Sequence, residues 1–255
     1  LAKALGAEVL ENPWINHATQ FNWALDNLPL DTEWVLRLDA DEVITEPLAQ
    51  EIQRRLQKLG PEVHGVFVYR RMHFLGRRIK WGGLFPIQVL RLLRCGKGHC
   101  ENRWMDEHII VEGETARFTG EMIDDNLNSL SWWTEKHNRR VSLEDVDLLN
   151  LEYGFRPHDS VANMKGQNEA SVKRWLKEKI YARLPGGFRA FAYFFYRYVL
   201  RLGFLDGKEG TAFHVLQGFW YRYLVDTKLY EVKTYMREKK VDAETAIRNV
   251  LGINI

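Results

Sequence analysis

The sequence has 255 residues, of which 45% are hydrophobic, 27% charged and 13% aromatic, and its formal net charge is +2 at pH 7. This length and composition favour one α/β domain with an additional helical segment and a sizeable core. Neither a secretory signal nor an apolar run of about 18 residues is present in the sequence, so nothing in it indicates export or a membrane-spanning helix. A reduced, cytoplasmic setting is therefore expected.

The first part of the chain alternates between helical and strand patterns. The predicted elements, in chain order, are a helix end at residues 1–5 capped by Gly6, a strand at 7–10, a helix capped by Asn16 that runs to Leu28, a strand at 34–38 and a helix at 47–59. Since Leu1 opens within an element, the first strands of the fold are expected upstream. The alternation favours a mostly parallel sheet flanked by helices.

The second part of the chain changes from strand to helical patterns. Further strands are predicted at residues 65–69, 88–93 and 108–112, separated by Gly-rich turns. From Ser129 onward helical patterns dominate. We therefore divide the chain into an α/β domain, residues 1–128, and a helical C-terminal region, residues 129–255.

Two carboxylates, Asp39 and Asp41, follow directly on the strand predicted at 34–38. Hard cations such as Mg²⁺ or Mn²⁺ prefer one or two carboxylates together with phosphate oxygens and water. The end of a strand is also where α/β sheets bind substrates, so a metal-bridged nucleotide phosphate fits this position. Acidic residues after a strand also occur as solvated turns or helix caps, and that alternative stays open. Glu42 is expected to support the site or to lie on the surface.

Several segments together resemble the bacterial glycosyltransferases of family 2, which have the GT-A fold. The segments that carry the resemblance are LAKALGAEVLENPW, QFNWAL, EWVLRLDADEVI, WMDEHIIVEG, DDNLNSLSWWTEKHNRR and YRYVLRLGFLDGKEG. The relatives in question build lipopolysaccharide core, capsule or exopolysaccharide. The resemblance implies a GT-A domain over residues 1–128, lacking its first strands, followed by a helical extension.

The resemblance also implies an activity. A nucleotide-diphosphate sugar would be the donor, with Mg²⁺ or Mn²⁺ on Asp39 and Asp41, and a glycan or lipid-linked molecule would be the acceptor. An inverting transfer needs a carboxylate that takes the proton of the attacking hydroxyl, and Asp106 or Glu107 is predicted to be that base. The alternative is that these two residues form a solvated turn before the next strand. His108 is expected either to contact donor phosphate or to point outward.

Aromatic and basic residues supply further candidates for binding. Besides Asp39 and Asp41, the residues predicted to bind the donor are Arg78, Trp81, His137 and Arg139, with Arg140 as a further candidate for the diphosphate. His73 and Arg77, like Arg78 and Trp81, are expected to line the cleft of the donor or the acceptor. Trp132 and Trp133 are predicted to stack on the acceptor ring. The alternative is that one tryptophan packs in the core and that the basic residues form a solvated helix face.

Residues 171–208 contain nine Lys or Arg residues against two acids, Glu178 and Asp206, and are rich in Phe and Tyr. Such a segment is suited to lie at the surface of an anionic membrane, so the protein is expected on the inner face of the cytoplasmic membrane. An ordinary helix packed on the α/β domain is the alternative. No recognised RNA- or DNA-binding motif is present, and nucleic acid is not expected as a partner.

Two other classes of function remain open. The sequence VLRLDADEV also fits the motif of haloacid-dehalogenase-like phosphatases, in which Asp39 would be the nucleophile and Asp41 the general acid. Asp124 and Asp125 would then supply the late acidic pair, although at least three elements precede the motif here. The other alternative is a non-catalytic membrane-binding fragment.

Overall fold

The computed structural model of the protein describes residues 2–29, 31–101, 104, 107–156 and 187–255. The strands in these ranges are β1 Trp34–Leu36, β2 Glu42–Ile44, β3 Val63–Phe74, β4 Arg77–Arg78, β5 Ile87–Arg94, β6 Gly98–Cys100, β7 Ile109–Val111 and β8 Glu114–Asp125. The α-helices are α1 His17–Asn27, α2 Glu46–Arg55, α3 Leu130–Tyr153, α4 Phe188–Phe195, α5 Gly207–Phe213, α6 Tyr221–Lys239 and α7 Ala243–Ala246. The chain is therefore mixed α/β, with its strands in the first half and its long helices in the second.

A six-stranded mixed sheet forms the centre, in the order β1-β5-β3-β8-β2, with β4 paired to β3. The only parallel pairing among the described strands of this sheet is β3 with β8. The prediction of a mostly parallel sheet is thus wrong. After α2, turns rather than crossover helices join β3, β4 and β5, and a turn returns the chain antiparallel to the preceding strand.

The predicted caps at Asn16 and Gly6 are confirmed, and Ser129 caps the first helix of the predicted helical region. The Asn16 side chain accepts a hydrogen bond from Thr19 N at 2.8 Å and starts α1, and the Ser129 hydroxyl does the same for Trp132 N at 3.2 Å at the start of α3. Gly6 ends a short 3₁₀ helix with φ 83°, a left-handed conformation that favours glycine. The strand predicted at residues 7–10 is absent from the structure, and this stretch is exposed.

Strand β8 is the largest element that the sequence analysis missed. Its buried positions Phe118, Gly120 and Met122 alternate with more exposed ones, which is the period of a half-buried strand. Phe118 and Met122 pack with Leu48 of α2 and with Val66 in a fully buried cluster. The approach of α2 to β8 is close, since a Cβ at Gly120 would lie 2.5 Å from the Leu48 Cα.

The helical second half packs directly on the strands. Phe74 and Ile79 of the strand region form one buried cluster with Trp133 of α3 and Phe213 of α5. The Asp206 carboxylate also accepts hydrogen bonds from the backbone N–H groups of Lys80, at 3.1 Å, and Trp81, at 2.8 Å. The boundary that we predicted after residue 128 is therefore crossed by a shared core and by buried polar contacts. Among the described helices, none is long and apolar enough to cross a bilayer.

Candidate functional site

The two carboxylates of the Asp39-Ala40-Asp41 motif lie in a tight turn between the edge strands β1 and β2. Glu42 N donates to the Asp39 carbonyl at 3.0 Å, and the Asp39 N–H donates to the Glu42 carboxylate at 2.9 Å. The Glu42 side chain is buried, whereas 46% of the Asp39 side chain and 33% of the Asp41 side chain are exposed. The buried Glu42 carboxylate thus stabilises the turn through its hydrogen bond, and the two aspartates present their carboxylate oxygens to solvent.

Two arginines lie beside Asp39, Arg37 just after β1 and Arg91 in the neighbouring strand β5. Arg37, two residues earlier on the chain, places its Nε 3.7 Å from Asp39 Oδ1. Arg91 of β5 lies 3.3 Å from Asp39 Oδ2 and also contacts the buried Glu42 carboxylate. Burial raises the pKa of Glu42, while the charge of Arg91 opposes that shift. The Asp39 carboxylate is therefore held in a fixed orientation by cations on two sides.

Asp41 faces helix α3 and the end of strand β8. Lys136 of α3 places its ammonium 3.5 Å from Asp41 Oδ2, and the Asp125 N–H donates to the Asp41 carbonyl at 3.0 Å. This hydrogen bond brings Asp124 close to Asp41. Burial raises the pKa of Asp124; Arg70, 3.9 Å away, lowers it, and the charge of Asp41 raises it. The turn thus lies beside a third carboxylate, on a different strand.

Glu107, one of the two residues predicted as the base, is joined to this turn through Arg37. Arg37 Nη2 donates to Glu107 Oε1 at 2.9 Å, and both side chains are largely buried. The Arg37 guanidinium also lies over the ring of Phe21 in α1. Arg37 therefore bridges the candidate base and the candidate metal ligand. Asp106 lies outside the described residues.

His17, one turn before Phe21 on α1, extends this group of charges. Partial burial lowers the pKa of His17, and the charges of Glu107, Arg140, Arg37 and Asp39 also act on its ring. The exposed ring of Trp14 packs edge-on against His17, with 4.8 Å between centroids. The N-terminal end of α1 therefore lies near Glu107, Arg37 and Asp39.

The donor set suits a hard divalent cation. Asp39 and Asp41 are exposed enough for both carboxylates to exchange Lys136 and Arg91 for a metal that keeps its own waters and phosphate oxygens. Across the described residues, no group of three or more His, Cys, Asp or Glu side chains is arranged to hold a metal ion by itself. A site with two protein carboxylates is in keeping with a metal that a phosphate ligand completes.

The two tryptophans at the start of α3 have different positions. Trp133 is only 5% exposed and packs edge-on against Phe74, whereas Trp132 is 40% exposed, with the Lys136 ammonium 4.8 Å from its ring centroid. Trp133 is thus a core residue, as the alternative interpretation had it. Trp132 is the tryptophan that lies beside the Asp41 partner Lys136 and is open to a ligand.

The predicted donor-binding residues are spread over a wider area than the aspartate turn. His137 stacks on Trp133 and hydrogen-bonds the Trp133 carbonyl at 2.8 Å through its Nδ1. Arg139 is exposed and pairs with Glu135 on the outer face of α3. Arg78 contacts Glu121 and the ring of Phe85. The backbone N–H of Trp81 donates to the Asp206 carboxylate, as described above.

Three of the remaining candidates from the sequence, His73, Arg77 and His108, are paired with acids. His73 lies 3.6 Å from Asp125, and Arg77 lies 3.5 Å from Glu209 of α5. His108 contacts the buried Glu101 carboxylate, so it does not simply point outward. Of these three, His73 has a partner, Asp125, that is adjacent in sequence to Asp124 of the site.

Sequence reasoning missed three cations of the site, Arg37, Arg91 and Lys136. Arg37 had a usable signal, because residues two apart on a strand share a face and Arg37 precedes Asp39 by two. Arg91 was a single charge inside an apolar strand pattern, which often marks a buried partner. Lys136 carried no such signal, since nothing local distinguishes it from other charged residues on α3.

Comparison with known families gives no assignment, because no family model matches the chain.

Proposed function

We propose that this protein is a glycosyltransferase that moves a sugar from a nucleotide-diphosphate donor to a glycan or lipid-linked acceptor, with inversion at the anomeric carbon. The proposed setting is cell-surface polysaccharide synthesis by an enzyme of family 2. The finer assignment of the mixed α/β fold as GT-A is part of the same proposal. It rests on the sequence resemblance and on the geometry of one turn.

The observation that carries the proposal is the link from Asp39 through Arg37 to Glu107. Sugar transfer needs a charged pocket for the diphosphate and, on the acceptor side, a carboxylate that takes a proton. Arg37 contacts both carboxylates, at 3.7 Å and 2.9 Å, so the two functions are fixed relative to each other by one buried side chain.

Asp39 and Asp41 would hold Mg²⁺ or Mn²⁺, which when bound stabilises the negative charge that develops on the departing diphosphate. Lys136, 3.5 Å from Asp41, and Arg140, whose charge acts on Asp124, would attract the diphosphate. Glu107 would take the proton from the acceptor hydroxyl, with Asp106 as the alternative. Trp132, beside Lys136, would offer its face to a sugar ring.

The phosphatase alternative has weaker support. By resemblance to that family, the motif would end the first strand of the fold, whereas here a 3₁₀ helix at Lys3–Leu5 and α1 precede β1. The proximity of Asp124 to Asp41 is compatible with both functions and does not favour the phosphatase.

The test of the proposed function is the substitution Asp41→Asn in the full-length protein. It keeps the shape of the side chain and removes the charge, so divalent-dependent transfer should fall by about 10² or more while the melting temperature stays near that of the parent. Asp26→Asn, at an exposed position on α1, is the matched control and should leave transfer unchanged. Near-parental transfer by Asp41→Asn, or full activity of the parent in excess chelator, would show that the metal assignment is wrong.

A further inference from the structure

The helix over residues 188–200 has its polarity reversed relative to a surface helix. It consists of α4 and the π-helical segment Tyr196–Leu200 that continues it. A surface helix normally buries its apolar side chains and exposes its charged ones. Here the two charged residues, Arg189 and Arg197, are buried, while large apolar side chains face solvent. The reversal needs an explanation from the surroundings of the helix.

The two arginines are fixed to the protein interior. Arg189 Nε donates to the buried Asp226 carboxylate of α6 at 2.5 Å, and its guanidinium pairs with the same group. The Arg197 guanidinium donates to Gln217 and lies over the ring of Phe213. A buried arginine with its partners sets the rotation of the helix about its axis, because turning it outward would leave the partner carboxylate unpaired. The sequence analysis expected the cations of residues 171–208 at an anionic membrane, and this is wrong for Arg189 and Arg197, which are buried. Residues 171–186 of that segment lie outside the described residues.

The outward side of the same helix is apolar and continues into the next turn. We call it the apolar face, made of Phe188, Phe191, Phe195, Tyr196, Val199, Leu200, Leu202, Phe204 and Leu205. Its exposed side chains follow helical spacing, and the three largest exposures are 62% for Phe188, 62% for Leu200 and 55% for Phe191. A contiguous apolar surface of this kind on a protein commonly marks a binding site.

We propose that the apolar face inserts into the interface of a lipid bilayer. Residues 187–205 contain no acid, and Tyr196 is the only polar side chain of the apolar face, so it offers few of the hydrogen-bonding groups that a protein partner would match. Aromatic rings beside Leu and Val suit the boundary between head groups and acyl chains. The exposed cations Arg201 and Lys208 lie at the C-terminal end of the apolar face and complement anionic head groups.

The mode of attachment differs from an electrostatic anchor. Because two of the three arginines of residues 187–205 are buried, burial of apolar surface rather than charge supplies most of the binding. Binding should therefore persist on neutral lipid and at high salt, with a modest gain from anionic lipid through Arg201 and Lys208. This inference does not depend on the proposed glycosyl transfer, since it concerns a surface outside the aspartate turn.

The test is co-flotation of the full-length protein with vesicles of phosphatidylcholine alone and with vesicles that contain roughly one third phosphatidylglycerol. Both should bind the protein, and binding should lose less than about half of its strength when the salt is raised to about 1 M. The triple variant Phe191→Ser, Phe195→Ser, Leu200→Ser should lower partition into both kinds of vesicle by at least about tenfold. Its side chains are exposed, so its melting temperature should match that of the parent.

The matched control is the triple variant Leu5→Ser, Leu151→Ser, Tyr230→Ser, which removes exposed apolar side chains elsewhere and should bind vesicles like the parent. A second variant, Arg201→Gln with Lys208→Gln, should reduce only the gain from anionic lipid. Equal loss of binding in both triple variants, or binding that disappears at high salt, would overturn the proposal. The proposal would also be overturned if the parent protein bound neither kind of vesicle but formed dimers that the Phe191, Phe195 and Leu200 substitutions dissociate. The apolar face would then join two copies of the chain.

Discussion

At the scale of single residues, Glu107 is the described carboxylate for which we propose the role of base. Glu107→Gln keeps the hydrogen bond from Arg37 possible but removes the proton acceptor, so transfer should fall by about 10² or more while donor binding is kept. Asp106→Asn is measured beside it, and the residue whose substitution lowers the rate of transfer less is not the base. Rates of transfer and donor affinity, measured separately, distinguish a base from a binding residue.

The control for this pair is Glu112→Gln, an exposed position directly after β7 in the same segment. It should leave both rate and donor affinity unchanged. If neither Glu107→Gln nor Asp106→Asn slows transfer, the base lies elsewhere, and Asp124, beside Asp41, is the next residue to substitute.

His137 gives a prediction for the pH dependence of stability. Burial lowers its pKa to about 4, and the hydrogen bond to the Trp133 carbonyl opposes this shift. Between pH 6.5 and 4 the unfolded chain binds a proton at this residue and the folded chain does not, so the free energy of unfolding falls as the pH falls. Above pH 6.5 both states are neutral here and the contribution does not depend on pH.

The substitution His137→Gln tests this sign. Glutamine can still donate to the Trp133 carbonyl but does not titrate, so the fall in melting temperature below pH 6.5 should be shallower than in the parent. The slope removed is at most about 1.4 kcal/mol per pH unit, and less because the ring is partly exposed. An unchanged slope would mean that His137 is protonated in the folded protein. His99, an exposed histidine of β6, provides the control through His99→Gln.

At the scale of elements, the cap of α1 positions His17, whose ring lies near the charges of Glu107, Arg37 and Asp39. The Asn16 side chain is buried and accepts the Thr19 N–H, so Asn16→Ala should lower the free energy of unfolding by about 1 kcal/mol. The same change loosens the first turn, which carries His17. Asn27→Ala at the other end of the same helix removes an exposed hydrogen bond to the Trp23 carbonyl and should cost much less. Chemical denaturation of the two variants gives the comparison, and equal costs would contradict the capping role.

The caps at Gly6 and Asn16 and four of the eight described strands, β1, β3, β5 and β7, were accessible from sequence because they depend on neighbouring residues. Asn16, Ser129 and Gly6 each act within about one turn, and the predicted helix starts agree with the structure. Strand direction depends on partners distant along the chain, and β8 pairs with β3 some fifty residues away. The parallel arrangement was inferred from helix and strand order alone, which does not contain that information.

The same distinction applies to the site. The two aspartates could be proposed together because they are only two residues apart on the chain, and Glu107 because it lies in a motif of the resemblance. Arg91 and Lys136 are distant from the turn along the chain and lie beside it only in the folded protein. Arg91 comes from β5 and Lys136 from α3. Trp132 and Trp133 differ in exposure because α3 packs one of them on Phe74, a contact that local sequence does not fix.

At the scale of the whole molecule, the packing of α2 on β8 leaves no room for a side chain at Gly120. Its Cβ would lie 2.5 Å from the Leu48 Cα, and the Gly120 N–H donates to the buried Glu51 carboxylate at 2.8 Å. Gly120→Ala should therefore lower the free energy of unfolding by roughly 1–3 kcal/mol, because backbone must move. Gly218→Ala is the control, since its Cβ would meet nothing closer than 3.7 Å. Equal stability of the two variants would show that α2 shifts freely.

The hydrogen bonds from Lys80 and Trp81 to Asp206 bear on how this protein can change over evolution or by engineering. A chimaera that joined residues 1–128 to the helical half of another protein would leave two peptide N–H groups near Trp81 without their acceptor. It would also remove Trp133 and Phe213, the two aromatic side chains that pack with the ring of Phe74. The two halves therefore depend on each other for their packing. Recombination between distant relatives at residue 128 should succeed only with partners that keep the Asp206 carboxylate and the rings of Trp133 and Phe213.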